Sequence, residues 1–290
     1  MILVVGSTGA LGMSVVMGLI ASHKKATALV RDMSGHKASQ LRAAGAALVL
    51  GDLKARTTLD EALKGIDTVV CTASSTLSRG DGDSIETVDQ QGVQDLISAA
   101  EAANVGRFVF VSFSRNIHND FPLARAKRAA EKRLEASAID YTILLPSYFA
   151  DTWFSPAVGF DVGNGKIRVY GDGKSKVSYV AREDVAKATV ACLDNPRATR
   201  KAIPIGGPAA ISQLEAVALA EKATARKMQV EFMTTEQIAA ARSEAKDSLT
   251  QSFLGLFDSL AAGDEIPAGW AESLGVKARS MEGWFFKSAN

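Results

Sequence analysis

A glycine-rich turn at residues 6 to 12 constrains this chain more than any other stretch. Ile2-Leu3-Val4-Val5 is a short apolar run, β-branched at three of its four positions, as a strand buried on both faces requires. Gly6-Ser7-Thr8-Gly9-Ala10-Leu11-Gly12 follows at once, and the nearly all-apolar stretch Met13 to Ser22 has the length of a helix. Strand, glycine turn and helix are the context that a dinucleotide-binding turn needs. Gly6 allows a tight exit from the strand, Gly9 lets backbone approach a pyrophosphate, and Gly12 lets the helix pack close. The free N–H groups and positive dipole end of the helix then face the phosphates. The whole turn, Gly6 to Gly12, is therefore expected to bind the cofactor.

Composition narrows the function classes. With 290 residues the chain has room for one large domain or one and a half. Hydrophobic residues make up 47% and charged residues 22%, as in ordinary soluble globular proteins. A formal net charge of +1 lacks the basic surplus of a nucleic-acid binder. No apolar run reaches the roughly 18 residues of a membrane span, so no membrane partner is expected. The first strand begins at residue 2, which leaves no room for a signal peptide before it, and a cytoplasmic protein is expected. Cys71 and Cys192 lie far apart, form no CxxC pair and suggest no metal site.

The chain continues as alternating strands and helices. Strands are expected at 26–30, 47–50, 68–72, 108–111 and 141–145, the last stopped by Pro146. Helices are expected at 37–44, 58–63 (capped by Thr57 or Thr58), 85–103 and 122–137, with a polar loop over 74–83. This rhythm predicts a doubly wound α/β fold, a parallel sheet with helices on both faces and ligands at the carboxyl ends of its strands. After Pro146 the rhythm breaks. Residues 147–176 are rich in glycine and aromatics, 182–194 is helical again, 201–205 reads as a last strand, and 211–225 and 235–257 read mostly as helices. Residues 1–146, rejoined by 177–206, are expected to form the nucleotide-binding domain. Residues 147–176 and 207–290 are expected to form a smaller lobe over the substrate.

Several stretches together resemble a known family. They are GSTGALG at Gly6 to Gly12, LVRD at Leu29 to Asp32, GDL at Gly51 to Leu53, RFVFVS at Arg107 to Ser112, SAIDYTILLP at Ser137 to Pro146, and VAREDVA at Val180 to Ala186. The GxxGxxG spacing points to short-chain dehydrogenase-like proteins, and the set is similar to the NmrA-like, atypical short-chain dehydrogenase/reductases. That family includes isoflavone-reductase-like enzymes and a second type of NAD(P)H quinone oxidoreductase. The match runs from residue 6 to about 190, two-thirds of the chain. One departure is Leu145-Pro146, where the family often has Arg-Pro, so no role for such an arginine carries over.

Candidate site residues follow from the strand ends. Arg31 ends the second strand, where arginine pairs with the 2′-phosphate of NADP and an acid would bind the 2′-OH of NAD. Asp32 follows directly and makes the signal mixed. The resemblance favours NADP, with NADPH preferred over NADH. It also implies that Asp52 and Leu53 flank the adenine. Thr72, Ala73 and Ser74 are small, and let the fourth strand end pass the cofactor ribose. Ser112 and Phe113 end the fifth strand near the expected nicotinamide, where Ser112 is either a hydrogen-bond donor to ring or substrate or a buried structural hydroxyl. Pro146, Tyr148 and Phe149 are expected among the cofactor-binding residues; the aromatics Tyr148, Phe149, Trp153 and Phe154 either stack a flat substrate or form the core of the smaller lobe. His118, in the loop after the fifth strand, is a candidate proton donor or a plain polar loop residue.

Lys127 is the main catalytic candidate. It shares a helical stripe with Leu123, Ala130 and Leu134, whereas Arg125, Arg128, Lys132 and Glu135 face away. An ammonium on an inward stripe needs a partner or a cavity; the alternative is a lysine snorkelling from the stripe edge. The resemblance places a reductase lysine on this helix. Tyr170 and Lys174 match Tyr-x-x-x-Lys by letter, but Gly171, Asp172 and Gly173 between them prevent a helical turn. These residues point to an NADPH-dependent reductase of a small conjugated carbonyl compound, a quinone or enone. The alternative is a redox sensor that binds NADP(H) and a regulatory protein partner without turnover. A nucleotide-sugar epimerase ranks third. A homodimer is a further expectation.

Overall fold

Leu3 and Val4 of β1 (Ile2–Val5) are completely buried: the strand is central, with parallel neighbours on both sides, and helices cover the faces of such a sheet. That is the environment in which an unbroken apolar run is stable as a strand. The computed structural model describes residues 1–77, 79–117 and 120–288 and divides into two compact units. One comprises Met1–Ser112, Pro122–Leu144 and Ala186–Ile203; the other takes in Phe113–Phe121, Leu145–Val185 and the chain from Pro204 onward.

In the first unit, β1 is followed by α1 (Ala10–Ala21), β2 (Ala26–Val30), α2 (His36–Ala43), β3 (Ala47–Leu50), α3 (Arg56–Ala62) and β4 (Thr68–Cys71). After a loop come a π-helical segment (Ile85–Gly92), α4 (Val93–Ala102), β5 (Arg107–Val111), α5 (Pro122–Glu135) and β6 (Asp140–Pro146). The seven-stranded sheet has the order Lys201–Ile205, β6, β5, β4, β1, β2, β3. Pairings among β1 to β6 are parallel throughout, with Leu3 opposite Thr27 on one side and Val69 on the other. This is the expected doubly wound α/β fold. Its strand order reverses between β1 and β4, and the carboxyl ends of those two strands open a crevice there.

The second unit is built around aromatic side chains. Its three-stranded sheet pairs Phe160–Asp161 antiparallel and Gln229–Met233 parallel with Lys166–Tyr170. Tyr170 stacks on Phe257 with centroids 4.0 Å apart, and Phe154 packs on Tyr179 at 4.5 Å. Among the described residues, no helix is long and apolar enough to cross a membrane.

Four expectations need correction. Residues 85–103 are not one α-helix: the first eight form a wider π turn, opened by a reciprocal Ser84–Thr87 capping box, and this turns Asp89 inward with Ile85, Val88 and Gly92. Neither Thr57 nor Thr58 caps α3, which begins at Arg56 after Ala55. The Thr58 hydroxyl is used instead to tie down the preceding loop, donating to Ala55 O at 2.7 Å and accepting from the Asp52 N–H at 3.0 Å. The expected helix over 235–257 is two, Thr235–Glu244 and Ser248–Ala262, because Asp247 starts a new one by accepting from the Thr250 N–H. Likewise Ile211–Ser212 is a short strand before the helix Gln213–Thr224, and the strand Gln229–Met233 was not legible in its mixed polar pattern.

Candidate active site

The crevice between β1 and β4 is a pocket of about 670 Å³, open to solvent. Val5, Gly6, Thr8 and Gly9 line it from the first strand–helix turn, and Thr72, Ala73, Ser74 and Ser75 from the end of β4. Leu29, Arg31, Gly51, Asp52, Leu53, Asp83 and Val88 complete the wall.

The turn adopts the geometry its glycines imply. Gly6 has φ of +80°, and a Cβ there would stand 2.8 Å from Ala73 N. A Cβ on Gly12 would stand 2.1 Å from Gly6 O, so α1 packs against the turn at a distance only glycine permits. Gly9 is the N-cap of α1, and a Cβ there would meet only Gly6 O, at 3.1 Å. Among the described residues no side chain caps α1, and its first turn carries no acid. Orphan N–H groups at such an end suit an anion, and a pyrophosphate fits them. Ser7 is buried and donates to Leu29 O at 2.6 Å, which fastens the turn to β2. Ala10 is exposed and Leu11 half-buried at the start of the helix.

Arg31 and Asp32 diverge. Arg31 lines the pocket, whereas Asp32 accepts from the Ser34 N–H at 2.8 Å and the Ser34 hydroxyl at 2.6 Å. The Ser34 hydroxyl and amide hold the Asp32 carboxyl below its usual range. Asp52 accepts from the Lys54 N–H at 2.9 Å, and Thr72 donates to Val5 O at 3.2 Å, closing β4 onto β1. Ser74 shares a 3.3 Å hydrogen bond with Thr76.

Behind this wall Lys127 is buried, 4% exposed, on the stripe with Leu123, Ala130 and Leu134. Its Nζ donates to Ala73 O at 3.2 Å, lies 3.4 Å from Asp89 Oδ1, and sits 5.2 Å from the Phe110 ring centroid. The snorkelling alternative is thereby removed: the ammonium does not reach solvent but ends in a buried ion pair. Asp89 is fully buried, and its Oδ2 accepts from the Ser75 N–H at 2.9 Å and the Ser75 hydroxyl at 2.7 Å. Among the described residues, Oδ1 accepts no hydrogen bond and has the ammonium as its neighbour. Ala73 and Ser75 both line the pocket, so the pair stands directly behind its surface.

Other candidates fall elsewhere. Ser112 is buried and donates to Glu131, which also pairs with Arg128, so its hydroxyl serves the β5–α5 packing. Phe113, Pro146, Tyr148 and Phe149 belong to the second unit. There Tyr148 is buried edge-on against Trp153 at 4.6 Å and donates to Leu256 O at 3.0 Å. Burial raises its phenol well above the usual range. Phe149 is half-buried and bridges to Val180 through its backbone. Phe113 stacks on Phe121, with centroids 6.3 Å apart. His118 lies outside the described residues. Tyr170 ends its strand before Gly171 and Gly173, both at positive φ, and donates to Val158 O at 2.8 Å. Burial pushes its phenol up to about 12, and the two left-handed glycines rule out the helical turn that a Tyr-x-x-x-Lys pair needs.

Sequence reasoning missed Asp89, Ser75 and Asp83. Asp89 carried the same signal as Lys127, a charge among apolar inward positions, but only in π register. Asp83 and Ser75 sit in a polar loop without periodicity.

The comparisons agree with this geometry. A family model described as NAD(P)H-binding matches residues 6–196. The isoflavone reductase homolog IRL of Zea mays is 33% identical over 254 residues, 82% of this chain and 78% of its own. The photosystem II assembly factor Ycf39 of Trieres chinensis is 32% identical over 231 residues, 79% of this chain and 70% of its own. In fold, the NADPH-dependent quinone oxidoreductase QOR2 of Escherichia coli, complexed with NADPH, superposes with a TM-score of 0.83, 21% identity and complete coverage of both chains. With the glycine turn, the switch-point pocket and these matches, the chain belongs to the NAD(P)H-binding, NmrA-like family of atypical short-chain dehydrogenase/reductases.

Proposed function

We propose that this protein is an NADPH-dependent reductase of a small, flat, conjugated carbonyl compound such as a quinone or enone. The observation that carries the reading is the buried Lys127 ammonium, held against Ala73 at the pocket wall by the Asp89 carboxylate. A buried ion pair is costly to maintain and is weak evidence of stability alone. Next to the pocket of the glycine turn it has a chemical use.

The bound cofactor supplies hydride. The α1 N-terminus and glycine turn hold its phosphates, and Asp52 and Leu53 flank its adenine. Arg31 lines the pocket while Asp32 is turned into its own Ser34 hydrogen bonds, which supports a preference for NADPH. Lys127 has three N–H donors. Ala73 O accepts from one of them and the Asp89 carboxylate lies against the ammonium, and on this reading a remaining N–H serves the negative charge that develops on the substrate oxygen. Asp89, fixed by Ser75, orients that ammonium.

A second reading is a sensor that binds NADP(H) and acts on a protein partner without turnover. The similarity to an assembly factor, 32% identity against 33% for a reductase homolog, favours it. Steady-state NADPH oxidation against a panel of quinones and enones separates the two. Turnover with at least one acceptor supports the reductase. Tight NADPH binding without turnover on any acceptor hands the site to the sensor.

A further inference from the structure

We propose that Asp83 is an internal anion seated between the cations that would hold a 2′-phosphate, and that it sets how strongly the pocket favours a phosphorylated dinucleotide. The inference rests on the reading of this pocket as a dinucleotide site. Both oxygens of the Asp83 carboxylate are claimed. Arg31 Nη1 donates to Oδ2 at 2.5 Å, Lys54 Nζ pairs with Oδ1, and the Gly80 N–H donates to Oδ2 at 2.7 Å. The Asp83 side chain is only 4% exposed, against 45% for Arg31, so the acid lies beneath the guanidinium rather than beside it in solvent. Arg31, Asp52 and Asp83 all line the pocket. The loop is also fitted to Arg31: a Cβ at Gly80 would stand 3.1 Å from Nη1 and 3.3 Å from Nη2.

Lys54 reaches Asp52 as well, at 3.2 Å, so two cations and two carboxylates cancel at this end of the pocket. A phosphate monoester brings a charge of roughly −1.5 to −2. It must displace Asp83 from Arg31 and Lys54, or share them against like-charge repulsion. A ribose 2′-OH meets the opposite situation, because a carboxylate accepts its hydrogen bond. Arg31 and Asp83 thus pull in opposite directions, and the net preference is set by their pairing. Burial alone would raise the Asp83 carboxyl, but hydrogen bonds from Lys54, Gly80 and Arg31 outweigh it and pull it down to about 2. The acid is therefore charged throughout the physiological range.

Asp83→Asn keeps the shape and an acceptor but removes the charge. Binding of 2′,5′-ADP and 5′-ADP, measured by calorimetry, isolates the adenosine end from the rest of the cofactor. The variant should bind 2′,5′-ADP about tenfold more tightly than the wild type, with 5′-ADP unchanged or weaker, since one charge-assisted contact is no longer contested. Asp83→Ser should shift each ligand in the direction that Asp83→Asn does, and a thermal melt establishes that each variant is folded. Unchanged or weaker 2′,5′-ADP binding by both folded variants overturns the role of Asp83 while the pocket reading stands. A wild-type protein that binds neither ligand nor NADPH removes the pocket reading, and this inference with it.

Discussion

Lys127 Nζ stands 3.4 Å from Asp89 Oδ1, and neither side chain reaches solvent. Lys127→Met removes one partner and strands a buried carboxylate, a change that costs about 3–5 kcal/mol. The same change should lower turnover of a good quinone or enone by roughly 100- to 1,000-fold, because a donor to developing charge is lost. The two effects separate in a double variant. Lys127→Met with Asp89→Asn should recover much of the stability lost by Lys127→Met in urea unfolding, and none of the turnover. Additive stability losses in that cycle would show that the pair is not energetically coupled.

Gly9 and Gly12 should fail in different ways. Gly9→Val places a side chain at the helix N-terminus with only a 3.1 Å contact to Gly6 O, so the fold persists by circular dichroism while NADPH binding is lost. Gly12→Ala drives a Cβ to 2.1 Å from that same oxygen, and the thermal midpoint should fall steeply. Equal NADPH affinity in wild type and Gly9→Val would remove the basis of the phosphate cradle.

Much of this was legible in the residues, and the exceptions share a cause. The strand Ala26–Val30 matches expectation because local pattern and burial agree, and Ala47–Leu50 matches on its apolar run alone, since it is a half-exposed edge strand. Lys127 was legible as a charge on an apolar stripe. Its partner was not, because Asp89 faces inward only in the π turn, which 3.6-residue periodicity does not foresee. The Arg31–Asp83–Lys54 cluster joins residues 52 and 29 positions apart through a loop, and no spacing rule connects them.

Arg31→Ala should weaken NADPH and leave NADH nearly untouched. A charge-assisted pair to phosphate is worth on the order of 1.5–3 kcal/mol, which is roughly tenfold or more in affinity. Calorimetry with both cofactors checks this. Equal weakening of the two means that Arg31 does not read the 2′-phosphate.

Acid should act through Asp83. A carboxyl held below its unfolded value contributes stability above that value and loses it as pH falls through the folded one. For Asp83 the contribution is present above about 3.8 and disappears as the pH approaches about 2. Wild type should therefore lose more stability than Asp83→Asn across that window, measured by urea unfolding at stepped pH. Parallel profiles would mean that the Arg31 and Lys54 pairs contribute nothing to the fold.

The central claim is hydride transfer from NADPH to a conjugated carbonyl compound, and isotope transfer tests it most directly. Wild-type protein is given NADPH carrying deuterium at the transferable nicotinamide position, with a quinone or enone, and the product is weighed by mass spectrometry. For an enone, where the new C–H bond does not exchange, the account predicts deuterium in the product and slower turnover of labelled cofactor. NADPH that binds tightly but is neither consumed nor gives up its label to any acceptor would contradict it.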